Sequence, residues 1–441
     1  MKYYIDTMGC PKNKADSESA AGILERAGFV LTEDPCESDY IIVNTCGFIR
    51  DAKEESIDRI LELAAMKKDG KYLVITGCLS QRYGRELFDA LPEADLCVGV
   101  NDYEILPQLL EGLKQGRRIF KEAESGKVYR ELGDKRPLDP PYTSYLKIAE
   151  GCNNICSYCS IPEIRGAYRS RKESEILKEA EKLAESGCKE IILVAQDVTA
   201  YGMDFDGKYH LPRLLEKLCH IEGIRWIRLM YCYEDRITRK LIDVIKENEK
   251  ICRYLDIPLQ HISDRILAKM NRRSTANSIR RTIKLLRESI PNIHIRTTFI
   301  TGFPGETEED FQKLRDFVNE QKFERLGVFS YSKEEGTPAG AMDNQIGDNL
   351  KLERRDLIMA DQKDISLNHN MTRVGRIMEV LVDERDDENT YLGRTRYDAP
   401  EIDNGVIFTS RQVLMPGDMV KVKITDAFDY DLTGEALERM I

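Results

Sequence analysis

Glu150-Gly-Cys-Asn-Asn-Ile-Cys-Ser-Tyr-Cys159 is the stretch from which the rest of the chain is read. Cys152, Cys156 and Cys159 follow a C-x3-C-x2-C spacing. Three thiolates so close on one loop can hold three irons of a cubane [4Fe–4S] cluster, leaving the fourth iron open to a small molecule. A zinc knuckle competes with that reading. Zinc usually takes a fourth ligand, however, and no His or further Cys follows within about fifteen residues. The loop also sits where a βα series begins. Ser144 to Ala149 reads as a strand, and Glu190 to Ala195, Trp226 to Met230, Arg253 to Ile257, Ile293 to Ile300 and Leu326 to Tyr331 read as five more. Helical segments fall between them, including Glu173 to Ser186 and Ile279 to Ser289. The series fits a partial TIM-like (β/α)6 barrel with its site at the C-terminal strand ends.

Upstream, a parallel α/β unit is expected. Lys2 to Ile5, Tyr40 to Val43, Tyr72 to Ile75 and Leu96 to Val98 read as strands, and Ser17 to Ala27, Ala52 to Met66 and Tyr83 to Ala90 as helices. Cys10, Cys46 and Cys78 each follow one of these strands, so all three converge at one rim of the sheet. That placement suits a second cluster with an open iron; three ordinary buried cysteines are the alternative. Cys36, Cys97, Cys188, Cys219, Cys232 and Cys252 share no such placement and read mostly as packing residues. The expected division is an N-terminal α/β domain over 1–115, a proline-rich charged linker over 116–141, a core over 142–371 and a small antiparallel β-barrel over 372–441. Alternating strands such as Met419 to Ile424, with Gly and Pro turns between, define the last.

The 441 residues are 41% hydrophobic and 32% charged, the balance of a globular protein. No apolar run approaches the roughly eighteen residues of a membrane span, and Met1-Lys-Tyr-Tyr-Ile5 does not resemble a signal peptide. A cytoplasmic protein is expected, in which twelve cysteines point to metal or redox chemistry rather than disulfides. A net charge of −11 disfavours a general nucleic-acid binder. From Thr372 onward nine Lys and Arg stand against fifteen Asp and Glu, which suits a basic protein better than a phosphate backbone.

The cysteine loop, including the aromatic Tyr158, resembles that of radical S-adenosylmethionine (SAM) enzymes. With Gly9-Cys-Pro-Lys-Asn13, Asp16-Ser-Glu18, Asn44-Thr-Cys-Gly-Phe-Ile49, Thr76-Gly-Cys78 and Ile300-Thr-Gly-Phe-Pro-Gly-Glu-Thr307, the whole chain is similar to the methylthiotransferases. The resemblance implies an N-terminal methylthiotransferase domain, a radical-SAM core and a TRAM barrel, with two [4Fe–4S] clusters on the two cysteine trios and SAM as cosubstrate. One branch of the family modifies an adenosine beside the tRNA anticodon; the other modifies an aspartate of small-subunit ribosomal protein twelve. Cys-Pro-Lys-Asn13, Asn44 to Asp58, Gly393 to Asp403 and Asp429-Tyr-Asp-Leu432 are closer to the second branch. It implies transfer of a methylthio group to the aspartate β-carbon: one SAM methylates a carried sulfur, and another is cleaved to a radical that removes hydrogen. The implied partners are that ribosomal protein, free or in the ribosome, held by the acidic barrel, an electron donor such as flavodoxin or ferredoxin, and a sulfur donor.

SAM contacts are expected at Tyr158, Gln196, Asp197, Asp256 and Gln260, near the cluster loop or at strand ends, with strand-end capping as the alternative for the last four. His261 reads as a hydrogen-bonded structural residue, and Arg165, Arg169 and Arg171 as partners of acidic neighbours more than of substrate. The competing functions are the tRNA reaction and, in another class, a non-enzymatic iron–sulfur carrier or zinc RNA-binding module.

Overall fold

Strands rich in Ile, Val and Tyr alternate with helices through the first four-fifths of the chain, and apart from one short antiparallel pair they lie in two parallel sheets. The structure, a computed structural model, describes residues 1–68, 70–122, 133–138 and 140–439. Part of the expected linker, 123–132 and 139, lies outside the described residues. The N-terminal unit comprises β1 (Lys2–Thr7), α1 (Pro11–Arg26), β2 (Val30–Leu31), β3 (Tyr40–Thr45), α2 (Arg50–Met66), β4 (Tyr72–Gly77), α3 (Cys78–Ala90), β5 (Leu96–Cys97), α4 (Leu106–Leu113) and β6 (Ile119–Phe120). Its strands pair in parallel in the order β2-β1-β3-β4-β5-β6. Both faces are covered: Tyr40, Ile42 and Val74 enter one core, Ile41, Val43, Leu73 and Ile75 the other. This is the period-2 alternation of a strand sandwiched between helices.

Helix α1 begins six residues before the expected Ser17. Its first turns carry Asn13, Asp16 and Glu18, which are buried although polar. Amphipathic periodicity does not reveal such a segment, because its polar face meets a second domain rather than water.

That second domain contains β7 (Thr143–Lys147), β8 (Ala149–Glu150), α5 (Ile161–Arg165), β9 (Arg169–Ser170), α6 (Glu173–Glu185), β10 (Glu190–Val194), α7 (Met203–Asp206), α8 (Leu211–Cys219), β11 (Trp226–Leu229), α9 (Arg239–Glu247), β12 (Ile251–Asp256), α10 (Asp264–Lys269), α11 (Ala276–Ser289), β13 (His294–Thr301), α12 (Glu308–Gln321), β14 (Arg325–Ser330) and α13 (Asp348–Met371). Its six long strands lie in the order β7-β10-β11-β12-β13-β14, all parallel, as the βα repeats require. Helix α13 was not among the expected elements. Its inward face includes Lys351, Arg354, Gln362 and Asn370, so no clean apolar stripe marks it.

The C-terminal unit closes β15 (Ile377–Arg385), β16 (Thr390–Thr395), β17 (Val406–Thr409), β18 (Met419–Ala427) and β19 (Leu432–Arg439) into a barrel in the order β15-β16-β17-β19-β18. One correction is needed to the antiparallel expectation: β17 and β19 pair in parallel. An odd number of strands cannot alternate direction around a closed ring, so at least one neighbouring pair must run the same way. The barrel plugs the open core sheet. Its Leu381, Ala399 and Met419 pack with Tyr145, Ile192, Trp226, Cys252 and Tyr254 from the sheet's inner face, and α1 contributes Ala15. Among the described residues, no helix is long and apolar enough to cross a membrane.

Candidate active site

The loop of Cys152, Cys156 and Cys159 is clamped at its base by the short antiparallel pair β8–β9 and by the Cys152 N–H donating to the Gly166 carbonyl at 3.1 Å. Gly151 makes the turn at φ 78°, and a Cβ there would lie 2.6 Å from the Gly166 oxygen, so the clamp demands glycine. The Asn154 N–H donates to Cys152 Sγ and the Ile161 N–H to Cys159 Sγ, both at 3.4 Å. Burial pushes the Cys159 thiol up to about 12 and raises that of Cys152, while these N–H donors work in the other direction. A metal replacing the thiol protons would find donors already aimed at sulfur.

Cys10 and Cys46 follow β1 and β3, and Cys78 opens α3 directly after β4, so strand ends bring together residues up to 68 positions apart in sequence. Cys10 is the N-cap of α1, whose positive end favours a thiolate. Gly9, at φ 88°, lets Cys46 approach: an added Cβ would stand 2.7 Å from Cys46 Cβ and 2.9 Å from its Sγ. Asn13 Nδ2 ties the rim together by donating to the Met8 and Thr45 carbonyls at 2.9 and 3.0 Å. Burial pushes the Cys46 thiol up to about 12, opposed by the Phe48 N–H and reinforced by charge on Cys10 and Cys78. The members of each trio thus sense one another. Yet among the described residues no three His, Cys, Asp or Glu gather closely enough to hold a single metal ion. Three soft thiolates are a donor set of the kind that an iron–sulfur cluster takes.

Between the trios lies a web of buried charge. Arg165, from the helix after the cluster loop, reaches into the N-terminal unit. Its Nη1 donates to Asp16 Oδ2 at 2.6 Å and to both Glu150 oxygens at 3.1 and 3.2 Å. Its Nη2 donates to Asn13 Oδ1 at 2.7 Å and Cys78 Sγ at 3.2 Å. Lys147 pairs with Asp16 and, at 2.7 Å, with Glu150. Burial would raise the Glu150 carboxyl, but Arg165 and Lys147 hold it well below the usual carboxylate range. Lys135 fastens α1 to β7, donating to Glu18 Oε2 at 2.8 Å and to the Tyr145 carbonyl at 2.8 Å.

The expected SAM contacts are divided. Tyr158 is half-buried and packs beside Ile266, Met270 and Phe303, on the core side of its loop. Gln196 donates from Nε2 to Glu150 Oε1 at 2.8 Å, while its own Oε1 is buried without a hydrogen-bond partner among the described residues. Asp197 is occupied within the protein. Its oxygens accept from Thr199, Ala200 and Asn154 at 2.6, 3.1 and 3.0 Å, and it pairs with Arg236. Asp256 accepts from the Tyr231 N–H and Arg296, each at 3.1 Å. Gln260, at φ 71°, extends the sheet through its backbone to Thr298 and Ile300, both at 2.8 Å. For Asp197 and Asp256, capping is what the side chains visibly do. His261 is buried and accepts from the Ser263 N–H at 2.9 Å. Arg171 likewise pairs with Glu179 at 2.7 Å, and Arg169 donates to backbone carbonyls.

Sequence reasoning missed Glu150, Lys12 and Tyr231. Glu150 stood in the opening stretch beside Gly151, but nothing local marks a carboxylate whose partners lie in another domain. Lys12 extends its Nζ over the Tyr231 ring, 3.3 Å from the centroid.

Three family models match the chain: the uncharacterised protein family UPF0004 over residues 2–99, the radical SAM superfamily over 146–318 and the TRAM domain over 374–437. Among curated proteins, the chain is 48% identical over 439 residues to the ribosomal protein uS12 methylthiotransferase RimO of Clostridioides difficile strain 630, covering 99% of each. It is also 48% identical to the protein of that name from Thermoanaerobacter sp. strain X514, over 98% of this chain and 99% of that one. Among solved structures, the radical SAM methyltransferase TsrM of Kitasatospora setae aligns with a TM-score of 0.58 at 16% identity, covering 82% of this chain and 89% of that one, a likeness of fold.

Proposed function

The chain belongs to the ribosomal protein uS12 methylthiotransferase RimO family of radical-SAM enzymes, and from that membership we propose that it transfers a methylthio group to the β-carbon of an aspartate in uS12. The observation that carries this reading is the Arg165 bridge. A residue of the core loop's own helix donates to a cysteine of the other trio, which supports a reading in which the two trios act together at one domain interface. In this reading a [4Fe–4S] cluster with SAM at the Cys152 trio supplies one-electron chemistry, and a second cluster at the Cys10 trio carries the sulfur.

The protein's own residues do the rest. The six cysteines are the proposed ligands. Tyr158 and the unpartnered Gln196 Oε1 are the proposed SAM contacts, with Gln260 on the same rim and Asp197 and Asp256 acting behind them. Glu150 orients Gln196 and Arg165 together. The buried ion pairs between α1 and the core close this interface to water, which in this reading would protect a carbon radical from side reactions.

The barrel offers an exposed acidic hairpin, Glu384 to Glu388, to a basic ribosomal protein. Asp383, Asp398 and Asp403 are turned the other way and pair with core or barrel arginines, so they belong to docking rather than to substrate. The reading calls for an electron donor of the flavodoxin or ferredoxin type and a sulfur donor, in the cytoplasm where ribosomes are built.

Anaerobic incubation of the reconstituted protein with SAM, reductant and either uS12 or hypomodified tRNA tests the proposal. Mass spectrometry should find a methylthio group replacing hydrogen on a uS12 aspartate. Modification of the tRNA alone would overturn it.

A further inference from the structure

Most cations where α1 meets the core are matched to carboxylates. Arg165 and Lys147 share Asp16 and Glu150, Lys135 holds Glu18, Arg296 holds Asp256 and Asp403, and Arg236 holds Asp197. Lys12 has no carboxylate partner among the described residues; its polar contact is Tyr231.

Its position is equally specific. Lys12 lies in the first turn of α1, two residues after Cys10. Its charge interacts with Cys10 of the first trio, and it is also felt by Cys159 of the second. Its ammonium reaches Tyr231 of the core, so it lies at the interface between the two domains that carry the trios.

Tyr231 is built to hold it there. The residue follows β11 with φ 58°, a left-handed conformation uncommon for a bulky side chain. The strain is retained by two hydrogen bonds: its N–H donates to Asp256 Oδ2, and its carbonyl accepts from the Val198 N–H, both at 3.1 Å. Strained backbone that surrounding contacts over-determine is characteristic of functional sites. Here it lays an aromatic face under the ammonium. An ammonium has three donors, and a ring on one side of it leaves donors for a second partner.

We propose that Lys12 is the receptor for the carboxylate of the substrate aspartate, an inference that rests on the uS12 reading given above. The β-carbon of aspartate is one bond from its carboxyl carbon. Fixing that carboxylate on Lys12 therefore places the reacting C–H in the gap between the trios. Asparagine has the same shape but no charge, and would leave a half-buried ammonium unmatched, so Lys12 makes the site selective for aspartate.

The test compares binding of uS12 carrying Asp or Asn at the modified position to full-length, iron-loaded wild type, Lys12→Gln and Lys12→Arg. Anaerobic fluorescence anisotropy without SAM reads binding independently of turnover. The wild type should prefer the Asp form by about tenfold or more, the scale of a desolvated charge pair. Lys12→Gln should lose the preference and Lys12→Arg should retain it. Equal binding of both forms by the wild type, persistence of the preference in Lys12→Gln, or its loss in Lys12→Arg would overturn the proposal. Iron content checks that Lys12→Gln is loaded; if it is not, the wild type and Lys12→Arg decide. A wild type that fails to modify uS12 refutes the function itself. One that modifies uS12 but binds both forms alike refutes only the role of Lys12.

Discussion

Arg165 Nη2 lies 3.2 Å from Cys78 Sγ, although the two residues belong to different domains and are 87 positions apart in sequence. The same guanidinium is held by Asp16, Glu150 and Asn13. A buried cation is costly unless its donors are matched, and here a sulfur completes the set. One side chain thus fixes the distance between the two halves of the site and places positive charge on a proposed cluster ligand.

Arg165→Gln should lower the reduction potential of the cluster on the first trio. N–H donors and positive charge at the sulfurs stabilise the reduced form. In a Cys152/Cys156/Cys159→Ala background, redox titration followed by electron paramagnetic resonance should show a fall of about 60 mV or more, the equivalent of tenfold for one electron. An unchanged potential would show that the contact is only structural.

Iron analysis after anaerobic reconstitution should give about eight irons per chain, as two cubanes require. Changing either cysteine trio to Ala should leave about four, with acid-labile sulfide falling in proportion. Loss of all iron from one triple variant would mean that the two trios do not load independently.

Gly9→Ala should mimic loss of the first trio while leaving every thiol in place. The new Cβ would stand 2.9 Å from Cys46 Sγ, on a backbone at φ 88° that disfavours any side chain. Strain of about 1–3 kcal/mol is expected at such a position. Iron content should fall towards the level of the Cys10/Cys46/Cys78→Ala protein, and full loading would contradict the prediction.

Glu190→Gln should loosen the barrel from the core. Glu190 is fully buried and accepts from Arg228 and Arg394, each at 2.7 Å. Removing the shared anion leaves the buried Arg228 without a carboxylate and Arg394 with Asp383 alone, a loss of about 3–5 kcal/mol. Trp226, the only tryptophan, sits in this junction and reports its opening. Denaturant titration should show its fluorescence changing at lower concentration than the far-ultraviolet signal of the helices.

Asp398 supplies a pH dependence at the same junction. Arg325, 2.5 Å away, and Arg373 hold its carboxyl down to about 2 against the effect of burial. A depressed carboxyl stabilises the fold above its unfolded value of about 4, and the benefit fades as pH falls towards 2. The stability difference between wild type and Asp398→Asn, read by Trp226 fluorescence, should therefore be level from pH 7 to about 5 and shrink below about 4. A difference that grows on acidification would reverse the sign and reject the assignment.

The sequence by itself determined what is local. Apolar runs such as Tyr40–Val43 and Glu190–Val194 had to be strands, because two-sided burial in a parallel sheet needs uninterrupted β-branched and aromatic residues. The Cys152–Cys159 spacing required one loop to present three thiols, and equivalent strand ends required Cys10, Cys46 and Cys78 to share a rim. Tertiary structure alone decided which charges meet. Asp16 finds Arg165, Glu190 finds Arg394, and Lys12 finds the aromatic ring of Tyr231. Periodicity records which face of an element avoids water. It carries no record of partners more than a hundred residues away, so a polar helix face buried against another domain looks the same as one facing solvent.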